Sequence, residues 1–522
     1  MSRAQYDSEG PQGAFFSTDV IRGVPWAVFG KFSLFFVYFA IPIFTFHSLG
    51  KDKYGVFSIC TNIGDFLILL CSLGLNTALV RFIPELCLAQ NRAGLLRLIG
   101  KTAIIQAGMV FIAALVMLVV KPYFDRWFRV DFQYFLLFAV LLVAARLFAG
   151  LIDDAFVGLL LVRVTSVLSI CQALVTLALV AWILPRAPEV STAIVAYTVP
   201  AGLVGAAGLL LLMRRIRRLH WRSPQHGIGR RRTLRMALPS LFNAMSLMVL
   251  AKYSEIFFLG YFFTPAVVAM YDVGCGFSLM IVTFIPNAIQ KLFTSGFAQA
   301  YSRDEKCLAG LIESYYKALI VFIVPISAFG LAFGPRTVEI LYGEDMAPAG
   351  FVAAVFFIYY TLTIIAAPLS MAIVTKEKIL YTQPLMVLQI VVNLILDYLL
   401  IPRFQLYGAL AAVTGTWVLT IPVRLYVVSK LVGGIHFPTR FFLRTAAVVC
   451  VLAGVMSPAA PHLNLVGVIL IGIVYGGAYL VLQRLLHLVR YEDTRDLRNL
   501  GLAKLNKALD WLVVGKPREN GG

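Results

Sequence analysis

The fold class is decided by a run of nineteen residues without a single charge, TAIIQAGMVFIAALVMLVV at positions 102–120. A helix of about 20 apolar residues is long enough to cross the hydrocarbon core of a bilayer. Such runs recur along the chain, in which 60% of the 522 residues are apolar and 14% are charged. Soluble domains carry about 25% charged residues. The sequence therefore predicts an integral membrane protein without a sizeable soluble domain.

About fourteen segments have the length and apolar character of a spanning helix. They are 24–46, 54–80, 102–120, 132–151, 164–184, 192–213, 237–262, 268–290, 312–334, 350–374, 380–401, 408–429, 445–460 and 465–486. The predicted fold class is thus an all-α polytopic membrane protein with about fourteen transmembrane helices.

The charges in the loops favour a topology with both termini in the cytoplasm. Lys and Arg concentrate on the cytoplasmic side of membrane proteins, and in this topology most of the 45 Lys and Arg lie on the inner side. The outer loops would hold only Lys51, Lys53, Lys121, Arg126, Arg129, Arg186, Arg336 and Arg403. The net charge of +19 then reflects topology. The arginine-rich run at 214–235 is interpreted as an inner loop near anionic headgroups, and no nucleic-acid partner is expected.

A weak internal repeat lies on either side of that loop. NTALVR at 76–81 has a counterpart in NAIQK at 287–291, and LPR at 184–186 has one in IPR at 401–403. Parallel repeats of this kind build transporters whose substrate path lies between the halves. We therefore expect two pseudo-symmetric six-helix lobes plus a C-terminal helix pair. The predicted parts are an N-lobe (1–213), a basic cytoplasmic linker (214–236), a C-lobe (237–430), helices 13 and 14 (431–486) and a cytoplasmic amphipathic tail (487–522).

Ionisable residues within the spans are candidate site residues, because a charge in hydrocarbon needs a partner or a wet cavity. Lys252 and Glu255 lie three residues apart, on one face of span seven. They form either an internal salt bridge or part of a cavity, in which Lys252 meets an anionic ligand and Glu255 is its counter-charge or a proton carrier. Lys31, Asp65 and Asp272 are further cavity candidates. Asp65 has no charged residue within one turn of its own helix, which makes it the better candidate for proton exchange. The full set in the spans is Lys31, Asp65, Arg146, Lys252, Glu255, Asp272, Lys317, Asp397, Arg424 and Arg484.

Signatures of an enzyme are missing from the sequence. It has no Gly-rich phosphate loop, no GxSxG and no HExxH motif. The seven cysteines and six histidines are scattered without ligand spacing. The outer loops are too short for the catalytic domain of a polyprenol-dependent glycosyltransferase. We expect a protein that is not an enzyme and that has no metal or cofactor.

Four local motifs resemble those of one family. LGKDKYGVFS at 49–58 is similar to the turn between the first two helices of polysaccharide-transporter flippases. LGLNTALVR at 73–81, followed by Pro84-Glu85, is similar to their next conserved segment. Further matches lie at 341–349 and 393–409. The resemblance covers most of residues 20–430.

This family is the lipid-linked polysaccharide (O-antigen, exopolysaccharide, teichoic acid) flippase branch of the multidrug/oligosaccharidyl-lipid/polysaccharide exporter superfamily. The resemblance implies two six-helix lobes and transfer of a polyprenyl-pyrophosphate-linked oligosaccharide across the plasma (inner) membrane by alternating access. In such proteins cations on the first and seventh helices commonly meet the pyrophosphate, and Lys31 and Lys252 lie on those helices. Glycan polymerases and glycosyltransferases are candidate partners.

Two other functions stay open from the sequence. A multidrug or cation antiporter of the same superfamily would favour acids and aromatic residues over lysines in its cavity. A membrane glycan polymerase or glycosyltransferase would need a long outer loop.

Overall fold

The computed structural model describes residues 18–128, 135–159, 161–218, 229–303, 305–369, 373, 379–432 and 437–486. Within these ranges the regular structure is entirely helical. The α-helices are α1 (Thr18–Ser72), α2 (Leu75–Leu88), α3 (Arg92–Phe128), α4 (Phe135–Gly158), α5 (Val162–Ile183), α6 (Val190–Arg218), α7 (Arg230–Met248), α8 (Ser254–Phe262), α9 (Pro265–Arg303), α10 (Glu305–Tyr342), α11 (Ala347–Ile365), α12 (Gln383–Val432), α13 (Thr439–Met456) and α14 (Leu465–Leu485). A π-helical turn, Val249–Tyr253, joins α7 to α8.

In the described part of the chain, eleven helical stretches are long and apolar enough to cross a membrane. The predicted class, an all-α polytopic membrane protein, is therefore confirmed. α4 is not among the eleven, although it is strongly apolar. It carries Arg146, Asp153 and Asp154 within its length.

Two of the stretches are far longer than one crossing needs, because each joins two helices at a bend. α1 bends at Gly50, whose φ of 74° lies in the left-handed region that glycine adopts without a steric cost. α12 bends at Gln405, where φ is 51° and ψ is −124°. Each bend falls between two of the predicted spans. The predicted count of fourteen spans stays a prediction.

The chain forms two compact units, Met1–Met245 and Ser246–Gly522, which we call the first unit and the second unit. The boundary falls inside α7 and within the segment predicted as the C-lobe. The predicted limits of the lobes, of the linker and of the helix pair stay predictions. The predicted amphipathic tail lies outside the described residues.

The first unit is built around α4, which packs against α1, α2, α5 and α6. Its core contains Leu79 and Ile83 from α2, Leu151 and Phe156 from α4, and Leu212 from α6, all almost fully buried. Close van der Waals packing of these side chains holds α4 at the centre of the unit. α4 also carries the charged residues described below.

The first part of α7 packs against α2 within the first unit. A Cβ atom on Gly74 would lie 2.2 Å from the carbonyl oxygen of Ala237, so only glycine permits this approach. Arg232 donates two hydrogen bonds to Glu85, at 2.7 and 3.0 Å, and its guanidinium lies 5.0 Å from the ring centre of Phe82. These hydrogen bonds to Arg232 lower the pKa of the Glu85 carboxyl. The contacts fix the start of α7 on α2.

The second unit has an aromatic core between α9, α10 and α11. Tyr271, Tyr315, Phe356 and Phe357 are buried there. A Cβ atom on Gly330 would lie 2.4 Å from the Phe357 ring, so α10 and α11 pack more closely than larger residues would allow. This close packing gives α9 a fixed position for the residues that face α8.

The last helix of the described chain, α14, supports a proline-containing segment of α10. Pro325 has no N–H, so the carbonyl of Val321 loses its usual helical partner. The Tyr479 hydroxyl donates to that carbonyl at 3.0 Å, and the Tyr475 hydroxyl donates to the carbonyl of Pro325 at 3.0 Å. Two tyrosines of α14 therefore satisfy backbone groups of α10 that could not find water inside a membrane.

Candidate functional site

The first unit contains an ion pair between α1 and α4. Arg146 Nη1 donates to Asp65 Oδ1 at 2.8 Å, and both side chains are about one-third exposed. The Arg146 guanidinium also lies 6.0 Å from the ring centre of Tyr197 on α6. Three helices thus fix the position of one cation. A charge-assisted hydrogen bond offsets much of the cost of placing such a group in a spanning region.

Arg146 lines a cavity of about 390 Å³ within the first unit. Its polar wall also contains Tyr38 from α1, Asp153 from α4, and Ser169 and Gln172 from α5. The rest of the wall consists of small or apolar residues. Hydroxyl, amide and carboxylate groups beside an aromatic ring are the groups that hydrogen-bond and stack against sugars. The cavity therefore combines one cation with partners for hydroxyl groups.

The second unit contains a more deeply buried ion pair. Lys252 lies in the π-helical turn, and its Nζ donates to Asp272 Oδ1 on α9 at 2.5 Å. The two side chains are 18% and 13% exposed. The ammonium also lies 5.7 Å from the ring centre of Tyr253. Within the described residues, each unit thus contains an intramembrane cation that a carboxylate from another helix holds.

A separate polar cluster in the second unit joins α8 to α12. Glu255 and Asp397 are both completely buried, and Asn393 between them is 1% exposed. Asn393 Nδ2 lies 3.0 Å from Glu255 Oε1, 2.7 Å from Asp397 Oδ2 and 3.0 Å from Ser254 Oγ. The amide has two N–H groups, and the Ser254 hydroxyl is a further donor beside the two carboxyl groups. These few donors reach only some of the carboxyl oxygens.

The oxygens that point away from Asn393 make the shortage clearer. Glu255 Oε2 and Asp397 Oδ1 are buried and have no hydrogen-bond partner, and the same is true of the Tyr271 hydroxyl on α9. Two ionised carboxylates cannot share such a site without a compensating positive charge. The cluster therefore needs a proton or a small cation to be stable. The described residues contain no group of three or more His, Cys, Asp or Glu that could hold a metal ion.

Of the two alternatives for Lys252 and Glu255, the internal salt bridge is not what the structure shows, and the cavity role stays a prediction. The salt bridge assumed regular α-helical spacing, whereas the π-helical turn Val249–Tyr253 changes the angular spacing just before Glu255. Lys252 consequently pairs with Asp272, and Glu255 bonds to Asn393. Asp65, which has no charged residue within one turn of its own helix, pairs with Arg146 from a different helix.

The structure therefore groups the five candidate site residues differently from the sequence. Lys252 and Asp272 meet, Glu255 belongs to its own cluster, and Asp65 lies in the first unit. The backbone at Lys31 is part of α1, but its side chain lies outside the described residues. Its cavity role stays a prediction.

Sequence reasoning did not select Arg146, Asn393 or Asp397 as site residues. Arg146 and Asp397 were visible as charges within apolar segments. Asn393 and Asp397 are four residues apart, the spacing that places two side chains on one helix face. A polar pair at this spacing within a spanning helix is the signal that could have identified the cluster.

The fold is shared with known transporters. The lipid II flippase MurJ in an inward closed conformation aligns with a TM-score of 0.67 at 12% identity, over 91% of this chain and 99% of that chain. An inward-facing multidrug-resistance MATE transporter of the MOP superfamily aligns with a TM-score of 0.58 at 16% identity, over 77% of this chain and 98% of that chain. A MOP superfamily transporter from Pyrococcus furiosus aligns with a TM-score of 0.54 at 13% identity, over 78% and 95%. At these identities the likeness shows the fold alone.

The sequence itself defines the family. Residues 26–293, more than half of the chain, match the family described as "Polysaccharide biosynthesis protein". None of the curated proteins matches the chain in sequence. The chain belongs to this family of polysaccharide biosynthesis proteins, and it is a multi-pass membrane protein with a fold like that of the MurJ and MATE transporters.

Proposed function

We propose that this protein is a flippase that moves a polyprenyl-pyrophosphate-linked oligosaccharide from the inner to the outer leaflet of the plasma membrane by alternating access. The family and the fold support a membrane transport step in the biosynthesis of cell-surface polysaccharide. One observation carries the choice of substrate. Each unit holds a cation in its membrane region, Arg146 or Lys252, and a carboxylate already compensates its charge.

The two ion pairs are suited to a pyrophosphate that arrives and leaves. Between transport events Asp65 and Asp272 compensate the cations, which would otherwise be costly in the membrane. A pyrophosphate carries more negative charge and more acceptor oxygens than a carboxylate, so it can replace or share that partner. Arg146 can bind two oxygens through its planar guanidinium, and Lys252 supplies a compact charge. The polyprenyl tail can stay in the lipid.

The cavity beside Arg146 provides the site for sugars in this proposal. Tyr38 can stack on a sugar ring, while Ser169, Gln172 and Asp153 can bond to hydroxyl groups. A sugar attached to a pyrophosphate at Arg146 would lie within reach of this wall. A multidrug antiporter would have no need for a cation at this position, since most of its substrates are cationic themselves.

The buried cluster of Glu255, Asn393 and Asp397 supplies the coupling in this proposal. It needs one positive charge, and it connects α8, one helical turn after Lys252, with α12. Binding or release of a proton or small cation would therefore change how α8 and α12 pack. Asp65 is a weaker candidate for this role than the sequence suggested, since Arg146 already pairs with it.

Location and partners follow from the same proposal. The protein would lie in the inner membrane with both termini in the cytoplasm. Lys31 stays a proposed contact of the pyrophosphate, as the family resemblance implies. Glycosyltransferases would supply the lipid-linked substrate, and a glycan polymerase would use it on the outer side.

Charge-removing variants test the proposal in cells that depend on this protein for surface glycan. Arg146→Gln and Lys252→Gln should each lower surface glycan and increase the pool of lipid-linked oligosaccharide, with normal amounts of protein. Lys121→Gln is the matched control, because Lys121 forms a salt bridge with Asp125 at 3.4 Å near the end of α3. This control should leave both readouts unchanged.

Normal surface glycan in the Arg146→Gln/Lys252→Gln double variant would reject the proposed substrate contacts. If all three single variants lost surface glycan equally, the cause would be general damage to the membrane protein and not the loss of a substrate contact.

A further inference from the structure

A second cavity, of about 440 Å³, lies in the first unit between α2, α3 and the start of α7. We call it the α3 groove. Its walls include Leu75, Leu98, Ile105 and Leu234, and Arg97 and Lys101 are its charged residues. The groove therefore joins a large apolar surface to two cations.

The two cations of the α3 groove are available to a ligand. Arg97 uses its Nε to donate to the carbonyl of Ala93 at 3.1 Å, which leaves both terminal guanidinium nitrogens for other partners. Arg97 and Lys101 are exposed, and within the described chain neither forms a salt bridge. The lining of the groove contains no carboxylate. An anion entering it would meet two unpaired positive charges.

Along α3 the charged residues of the groove are followed by apolar ones, as the headgroup layer of a membrane is followed by the hydrocarbon. Arg97 and Lys101 are one turn apart, and Ile105 follows one turn later, so each step covers about 6 Å along the helix. Ile104 and Ile105 are 73% and 44% exposed and belong to the apolar part of α3. The cations thus lie at the headgroup level, and the isoleucines continue into the hydrocarbon. The positive-inside pattern predicts that Arg97 and Lys101 lie on the cytoplasmic side of the membrane.

From this geometry we propose that the α3 groove binds one anionic phospholipid of the inner leaflet. The phosphate lies between Arg97 and Lys101, and an acyl chain runs along Leu98 and Ile105. Charge complementarity selects an anionic headgroup, and the apolar walls select a lipid over free phosphate. Because Thr233 and Leu234 form one side of the groove, the lipid also contacts α7 next to the Arg232–Glu85 pair. It thereby helps to fix the start of α7 on α2.

The test is native mass spectrometry of the purified full-length protein, titrated with phosphatidylglycerol or phosphatidylcholine. The parent should bind one phosphatidylglycerol in preference to phosphatidylcholine. Arg97→Gln/Lys101→Gln should weaken this binding roughly thirtyfold, the factor expected from two cations near an anionic lipid. Arg81→Gln/Arg92→Gln is the matched control, since both residues are exposed, lie on α2 and α3, and do not line the groove. Ile105→Trp fills the apolar part without changing the charge and should also weaken binding.

If Arg97→Gln/Lys101→Gln and Arg81→Gln/Arg92→Gln weakened phosphatidylglycerol binding equally, the proposal would be overturned. The lipid would then be attracted to positive charge in general and not to the α3 groove. Undiminished phosphatidylglycerol binding in the Ile105→Trp variant, together with complete displacement by inorganic phosphate, would overturn it in favour of a simple phosphate site.

Discussion

Lys252→Met removes the ammonium from the most deeply buried ion pair of the described residues and leaves the Asp272 carboxylate without its partner. The side chains are only 18% and 13% exposed, so water can replace little of the lost interaction. Breaking a buried pair in this way costs about 3 kcal/mol, at the lower end of the usual range because neither side chain is fully buried. At about 2 °C per kcal/mol, a value for large domains, the melting temperature should fall by about 6 °C.

The double variant Lys252→Met/Asp272→Asn separates stability from function. It replaces the ion pair by two neutral side chains of similar size, which usually changes stability by little. Its melting temperature should therefore return to within about 2 °C of the parent, the shift expected for 1 kcal/mol. Transport should not return, because the cation proposed to meet the pyrophosphate is still missing.

Scanning fluorimetry in detergent measures the melting temperature of each variant. Glycan transfer in proteoliposomes measures its transport activity. A single variant as stable as the parent would refute the energetic argument. Transport by the double variant at the parental rate would refute the role of Lys252 in substrate binding.

Three further predictions concern other parts of the chain. Glu255→Gln/Asp397→Asn should make transport insensitive to an imposed pH or sodium gradient, because no carboxylate is left to take up a positive charge; a response equal to that of the parent would exclude the cluster as the coupling site. Tyr479→Phe should destabilise the protein by about 0.6 kcal/mol in thermal unfolding, the mean for a hydrogen bond within a membrane, and an unchanged melting temperature would show that the freed carbonyl of α10 finds another donor. Glu85→Gln should remove a small stabilisation, below about 1 kcal/mol because the pair with Arg232 is exposed. The folded-state pKa of Glu85 is lowered, so this contribution is present above the ordinary carboxyl pKa and disappears as the pH falls through the lowered value; a difference between Glu85→Gln and the parent that persists at the lowest pH would contradict this assignment.

The fold could be predicted from the sequence because a bilayer imposes simple rules. A spanning helix needs a long apolar run, and the backbone must satisfy its own hydrogen bonds. These rules identified the helical class without any tertiary information. They did not reveal that α1 continues through Gly50 as one long bent element, since the charged turn after this glycine is itself helical. They also could not reveal that the start of α7 packs within the first unit.

The candidate site was less predictable, because its contacts connect distant parts of the chain. Sequence spacing locates neighbours on one helix, but Asp65 finds Arg146 81 residues further along, and Glu255 finds Asn393 138 residues further along. The π-helical turn before Glu255 has no sequence signal that we could read. Buried charge predicted that partners exist, and only the packing of the helices identified them.

Movement of a lipid-linked oligosaccharide across a bilayer, the function proposed for this chain, can be measured in a reconstituted assay. Purified protein is inserted into liposomes that carry a fluorescent polyprenyl-pyrophosphate oligosaccharide, and a membrane-impermeant glycosidase reports how much of the glycan reaches the outer surface. We predict that the parent protein exposes the inner pool of glycan to the enzyme. Liposomes with the Arg146→Gln/Lys252→Gln variant should behave like protein-free liposomes. If the parent protein leaves the inner pool as protected as it is in protein-free liposomes, the account is contradicted.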